Sequence, residues 1–224
     1  MRFRQAAAAL LAAACTAPLA AWARGGRSVD EVLSSLAPKR RRALERRFRA
    51  AGVPYPPQEV MLVAYKEERR LEVWTPKGER SVRVLDYPIL AASGRKGPKL
   101  RQGDFQVPEG VYGLAGLNPN SRFHLSIRVD YPSTRDRKWA ARDGRSDLGG
   151  DIFIHGKAVS RGCLAIGDER IEELFTLVAD TGLRNARIII APNRGLRELP
   201  SEPEWVGELY EDVRRALLDV QGGI

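Results

Sequence analysis

Several side chains that most chemistry depends on are scarce in this 224-residue chain, which has two cysteines and two histidines. Two cysteines exclude a scaffold held by a disulfide framework. A zinc site would have to draw on His124, His155, Cys163 and Asp151. None of these stands at the close paired spacing of metal motifs, so no metal is expected. No Gly-rich loop ends in Lys-Ser/Thr, and no helix-turn-helix or RNP pattern occurs, so neither a cofactor nor a nucleic-acid partner is expected. Beyond the first residues, no apolar run approaches the ~20 residues that span a bilayer. There is no internal repeat.

What is present is an ordinary globular composition, 43% hydrophobic, with a net charge of +9 and a pI near 9.9. That excess favours contact with a polyanion: nucleic acid, an anionic membrane surface or an acidic wall polymer. The N-terminus narrows the choice. Arg2 and Arg4 precede the uncharged run Ala6–Cys15, and Ala21-Trp22-Ala23 closes the segment with small residues at the cleavage positions. Residues 1–23 therefore read as a secretory signal, and the protein is expected to be exported, to the periplasm or cell envelope. Cys15 either leaves with that signal or serves as a lipid acceptor, since LAAAC resembles a lipobox with its Leu one place early. If cleavage follows Ala23, Cys163 is the remaining cysteine. An unpaired thiol in an oxidising compartment needs an explanation: burial, intermolecular pairing or nucleophilic work.

Three regions follow the signal in order. Residues 24–57 form a basic helical segment and linker. Ser28 and Glu31 make a capping box, and Pro38 is expected to divide two helices. Lys39–Arg49 carries seven basic residues and one acid, with Leu44 and Phe48 as its apolar stripe. This is a solvated basic face or a contact for an anionic surface. Residues 58–192 are β-rich. A hairpin joins 60–66 to 71–75, a strand follows at 81–85, and 105–114 reads as a hairpin arm. Phe123–Val129 alternates as a strand, with His124, Ser126 and Arg128 on one face. Residues 130–150 read as a long charged loop, and 151–155 as a short strand with Phe153 and His155 on one face. Asp168 is expected to cap a helix, and 187–191 to form a central strand. In residues 193–224, a Ser201–Glu204 box is expected to start a last helix. The fold class is mainly β with flanking helices, α+β.

The stretch HGKAVSRGC, 155–163, gathers the candidate chemistry. His155 ends a strand and Cys163 follows a Ser160-Arg161-Gly162 turn, so an excursion of eight residues could return the thiol to the imidazole. A Cys–His pair in reach of one another is a nucleophile for acyl transfer through a thioester. Gly162 permits close backbone approach, and N–H groups at Cys163 and nearby could hold an oxyanion. Ser160 could orient the imidazole or line the pocket, and Arg161 could grip a substrate carboxylate. Taken singly, Cys163 and His155 read as an inert buried thiol and a core histidine; as a pair in a Ser/Gly turn they read as a site.

Ile154-His155-Gly156 followed by Ser160-Arg161-Gly162-Cys163 resembles the HG…SxGC signature of the L,D-transpeptidase (YkuD-type) catalytic domains. Gln102–Gly110 resembles that family's Gly-Asp…Pro-x-Gly hairpin, with Val107 where Thr is usual. Asn118–Ser126 and Gly149–Ile152 look like a branch of periplasmic murein proteins with short His-to-Cys spacing. The resemblance covers about residues 58–192. It implies a curled sheet or sandwich around the Cys loop, Cys163 as nucleophile, His155 as general base, Ser160 and Gly162 as supporting positions, and His124 as a second-tier substrate-binding residue. It implies peptidoglycan stem peptides as substrate, with a wall-attached lipoprotein as a further partner. Leu164-Ala165 follows the Cys where many relatives carry Arg or Asn, which leaves transpeptidation and hydrolysis both open. A wall-binding protein without catalysis is the rival from another class.

Overall fold

The computed structural model describes residues 26–222; the signal segment and the Cys15 lipobox lie outside them. In chain order the elements are α1 (Val29–Ala51), β1 (Val60–Tyr65), β2 (Arg70–Lys77), β3 (Arg80–Pro88), β4 (Ala91–Ala92), β5 (Gly110–Asn118), β6 (Ser126–Val129), α2 (Thr134–Arg142), β7 (Phe153–His155), β8 (Leu164–Ala165), α3 (Asp168–Thr181), β9 (Ala186–Ala191) and α4 (Val206–Gln221). The strands form one curled mixed sheet in the order β3-β2-β1-β9-β5-β6-β7-β8-β4. Its parallel pairs are β1–β9 and β7–β8. The class is the expected one, mainly β with flanking helices.

The apolar run at 187–191 is central because both of its faces are buried. Ile188 and Ile190 join the core under α1 and α3, while Ile189 and Ala191 join a second core under α4. The sheet is thus the middle of three layers. The two layers are tied by a buried polar cluster at the sheet's end. Lys66 Nζ lies 2.9 Å from Glu109 Oε1. The same carboxylate accepts from the Gly97 N–H at 2.9 Å and from the Tyr210 hydroxyl of α4 at 2.7 Å.

Six local expectations are revised. Pro38 does not divide the first helix; α1 runs through it. Interior proline costs about 3 kcal/mol, but Val32, Leu44 and Phe48 are fully buried on both sides of it, each worth about 1.5–3 kcal/mol. Three of its cations face α3, with Arg40 on Glu172 at 2.6 Å, Arg41 on Asp180 at 2.6 Å and Arg47 on Glu173 at 2.9 Å. Lys39, Arg42, Arg46 and Arg49 are exposed. The charged stretch 130–150 is not all loop. Ser133 and Asp136 form a capping box that starts α2, whose Trp139 stacks on Trp205 at 4.6 Å. Residues 105–109 are not strand, and β5 begins at Gly110. The alternating run from Phe123 pairs only from Ser126, because His124 is in the left-handed region at φ 78°. Asp168 does not cap α3: Gly167 stands at that position, and the Asp168 carboxylate instead accepts the Lys157 N–H at 2.8 Å. Trp205, without a side-chain cap, starts α4 in place of the Ser201 box.

Candidate active site

β7 and β8 place the two reactive groups. They pair in parallel with Ile154 opposite Leu164 and His155 opposite Ala165. Extending that register one step back sets Cys163 beside Phe153. Side chains alternate along a strand, so Phe153, His155 and Cys163 share the face away from the Ile154 core. The loop between the strands is closed at its neck by Ile166 N–H to His155 O at 2.9 Å and Gly167 N–H to Lys157 O at 3.1 Å. Gly156 is enclosed here: a Cβ on it would stand 2.5 Å from the Asp168 carboxylate and 2.6 Å from the Phe123 carbonyl.

His155 is buried and its tautomer is determined. Nδ1 lies 2.7 Å from the Gly156 carbonyl, which can only accept, so Nδ1 carries the proton and Nε2 keeps its lone pair. The Phe123 ring stacks on the imidazole with centroids 4.5 Å apart. Burial lowers the His155 pKa, partly countered by the Gly156 bond, so the ring is neutral at neutral pH. Cys163 is half-buried. Its Sγ–H donates to the Asp151 carbonyl at 3.6 Å. Burial raises its pKa above the free value, partly offset by the Phe153 backbone. The resting site therefore holds a thiol beside a neutral imidazole. No hydrogen bond joins the two among the described residues.

The remaining candidates are distributed unevenly. Ser160 makes no hydrogen bond to the imidazole among the described residues; its Oγ accepts the Cys163 N–H at 3.1 Å and donates to the Cys163 carbonyl at 2.6 Å. The Gly162 N–H donates to Ser93 Oγ at 2.5 Å, and Ser93 in turn donates to the Phe105 carbonyl at 2.7 Å. Both N–H groups expected to hold an oxyanion are thus occupied by serine hydroxyls. Gly162 has φ 93°, the left-handed geometry that favours glycine. Arg161 is exposed over the Phe105 ring at 5.9 Å. His124 is held at 2.7 Å by Glu172 of α3 rather than against the thiol. Leu164 and Ala165 are buried as β8 itself, Leu164 opposite Ile154 on the core face and Ala165 opposite His155.

A cavity of about 230 Å³ opens at the pair, lined by Asn118, Arg122, Phe123, Ser126, His155 and Cys163 among others. That suits one or two residues of an extended peptide. A larger concavity of about 970 Å³, near Trp74 and Arg194, does not include the thiol. Its lining holds carboxylates, arginines and a lysine but no thiol or imidazole. Among the described residues, no three His, Cys, Asp or Glu side chains come together as a metal site. Sequence reasoning missed Ser93, Phe123 and Arg122. The last two lie in the quoted Asn118–Ser126 stretch, whereas Ser93 carries no local signal.

Residues 59–190 match the family profile of the L,D-transpeptidase catalytic domain, YkuD. The chain belongs to that family. It is 35% identical over 140 residues to YafK of Escherichia coli (strain K12), classed by name with the L,D-transpeptidases. The match covers 60% of this chain and 54% of that one, so the chain spans about half the length of the curated relatives it matches. The fold is similar to that of Pgp2 from Campylobacter jejuni, a helical cell shape determining protein. The TM-score is 0.51 at 21% identity, over 61% of this chain and 48% of Pgp2. Helices α1 and α4 lie outside the L,D-transpeptidase match, yet both pack on it, α1 against α3 and α4 against the loop at Glu109. No helix among the described residues is long and apolar enough to cross a membrane.

Proposed function

We propose that this protein is an exported, peptidoglycan-modifying cysteine acyl-transferase acting on stem peptides. The observation that carries the reading is the shared pocket of Cys163 and a His155 whose Nε2 is unprotonated. Because the resting pair is neutral, His155 acts as a general base during attack rather than as half of a preformed ion pair. Nε2 takes the Sγ proton as sulfur bonds to the carbonyl carbon of the scissile amide. Collapse of the tetrahedral intermediate breaks the C–N bond, and the departing amine takes the proton back from Nε2. The thioester then passes its acyl group to an amine, giving a cross-link, or to water, giving cleavage. The Gly162 and Cys163 N–H groups serve the oxyanion by exchanging a serine hydroxyl for substrate oxygen. A wall-attached lipoprotein is an alternative substrate for the hydrolytic branch. The exposed cations Lys39, Arg42, Arg46 and Arg49 suit contact with an anionic envelope surface.

A second reading, a wall-binding protein without catalysis, is favoured by one observation: the thiol pKa is raised, not depressed. Mass spectrometry of stem-peptide muropeptides incubated with the wild type and with Cys163→Ala separates them. A Cys163-dependent cross-linked product identifies a transferase, and a Cys163-dependent cleaved product a hydrolase. Equal product from a folded Cys163→Ala protein rules out both, and binding without any product supports the second reading.

A further inference from the structure

The candidate cation for a substrate carboxylate, Arg161, sits outside the cavity over Phe105. The cavity nevertheless has a permanent positive charge in its lining. Of its nine lining residues, Arg122 is the arginine, and no lysine joins it. The Arg122 side chain is exposed and makes no ion pair or hydrogen bond among the described residues. Its polar neighbours are already used. The Asn120 amide accepts the Arg27 N–H and donates to the Arg27 carbonyl, each at 2.8 Å, and Asn118 accepts the Asn120 N–H at 2.9 Å.

The wall that carries Arg122 is fixed from several sides. Arg27 donates to the Pro119 carbonyl at 3.0 Å, and Lys157 donates to the carbonyl of Arg122 itself at 3.0 Å. One residue past Phe123, His124 is held by Glu172, which Arg40 of α1 also grips through two N–H groups, at 2.8 and 2.6 Å. The wall backbone is therefore held before any ligand arrives, which lowers the cost of binding. The rest of the cavity is apolar at Phe123 and Phe153. A charged site with apolar flanks and one unused guanidinium matches a short peptide segment bearing a carboxylate close to the attacked carbonyl.

We propose that Arg122 is the specificity-determining residue of this site: it binds a free carboxylate of the acyl donor next to the scissile bond, on a wall positioned by the segment before β1. The substrate part rests on the acyl-transfer reading; the anion site rests on the cavity alone, and the experiment separates them. Alkylation of Cys163 by iodoacetate, an anion, is compared with that by neutral iodoacetamide, and the modified residue is located by peptide mass mapping. In Arg122→Gln the iodoacetate-to-iodoacetamide rate ratio falls about three- to fivefold at low salt, with the iodoacetamide rate unchanged. Arg122→Lys keeps most of the ratio. In the wild type, added salt slows iodoacetate and leaves iodoacetamide alone, a check that needs no variant. Arg128, on the same sheet face beside Asp151 at 3.9 Å, is the competing cation. A ratio that is unchanged in Arg122→Gln, or that moves instead in Arg128→Gln, overturns the anion site. With a stem tetrapeptide as donor, the KM for the free acid rises about tenfold or more in Arg122→Gln, and the peptide's C-terminal amide is insensitive to the change. Equal loss on acid and amide overturns the substrate assignment. No turnover of either peptide by the wild type, with the alkylation ratio still Arg122-dependent, sinks the acyl-transfer reading and the carboxylate assignment with it, but leaves the anion site standing.

Discussion

Replacing Glu109 by Gln tests whether one buried charge pair holds the active-site loops to the C-terminal helix. Glu109 is 1% exposed, and its carboxylate receives Lys66, the Gly97 N–H and the Tyr210 hydroxyl. Gln keeps the shape but removes the charge, leaving Lys66 with the carbonyls of Arg95, Gly97 and Val107 as partners. Breaking a buried pair from one side costs about 3–5 kcal/mol. For a chain of this size that is roughly 6–20 °C of melting temperature. Burial already lowers the Lys66 pKa, against the pull of Glu109. Without Glu109 it falls further. A base whose folded pKa lies below its unfolded pKa binds fewer protons folded than unfolded between the two values. Stability of the variant therefore rises with pH as Lys66 loses its proton, and the deficit shrinks toward pH 10. The further change Lys66→Met removes the stranded charge and restores most of the loss. Denaturant melts of the wild type, Glu109→Gln and the double variant from pH 7 to 10 read all three. A deficit under 1 kcal/mol at pH 7, or one that does not change with pH, would refute the reasoning.

Three further outcomes follow from the same geometry. Because burial raises the Cys163 pKa, its iodoacetamide rate still climbs past pH 9; a plateau below pH 8 would show a preformed thiolate. The lowered His155 pKa keeps the imidazole in its base form into mildly acidic solution, so the acid limb of turnover falls below pH 6.5, read from kcat/KM against pH. Gly156→Ala crowds Asp168 and the Phe123 carbonyl and costs about 1–3 kcal/mol in a thermal melt, with loss of activity, whereas Gly78→Ala, where nothing lies within 4 Å but φ is +61°, costs about 1 kcal/mol and leaves activity intact.

Alternation and turn chemistry made the outline of the sheet legible. The β1–β2 hairpin follows from apolar runs around a turn, the central strand from the unbroken apolar run at 187–191, and the shared face of Phe153 and His155 from period-two patterning, all signals that act over a few residues. The pairing of His155 with Cys163 was legible because both lie within nine positions of one loop. Local signals misled where distant partners decided. Pro38 was overruled by apolar contacts on both sides of it, and the Ser201 box lost to the packing of Trp205 on Trp139. The Ser133–Asp136 cap was legible but hidden in a charged stretch. Ser93 could not be found at all, since its role is to meet Gly162 from 69 residues away.

Residue types and their spacing determined the family and singled out Cys163 and His155 as its candidate reactive pair. Tertiary structure alone decided which groups stand around them. It moved Arg161 out of the cavity and brought Arg122 in, assigned His124 to α3, and put the thiol and imidazole in a setting that keeps both neutral. The physical reason is one of range. Side-chain identity and strand period are local properties, whereas burial, the state of a proton and the direction of a long cationic side chain depend on what packs against them from elsewhere in the chain.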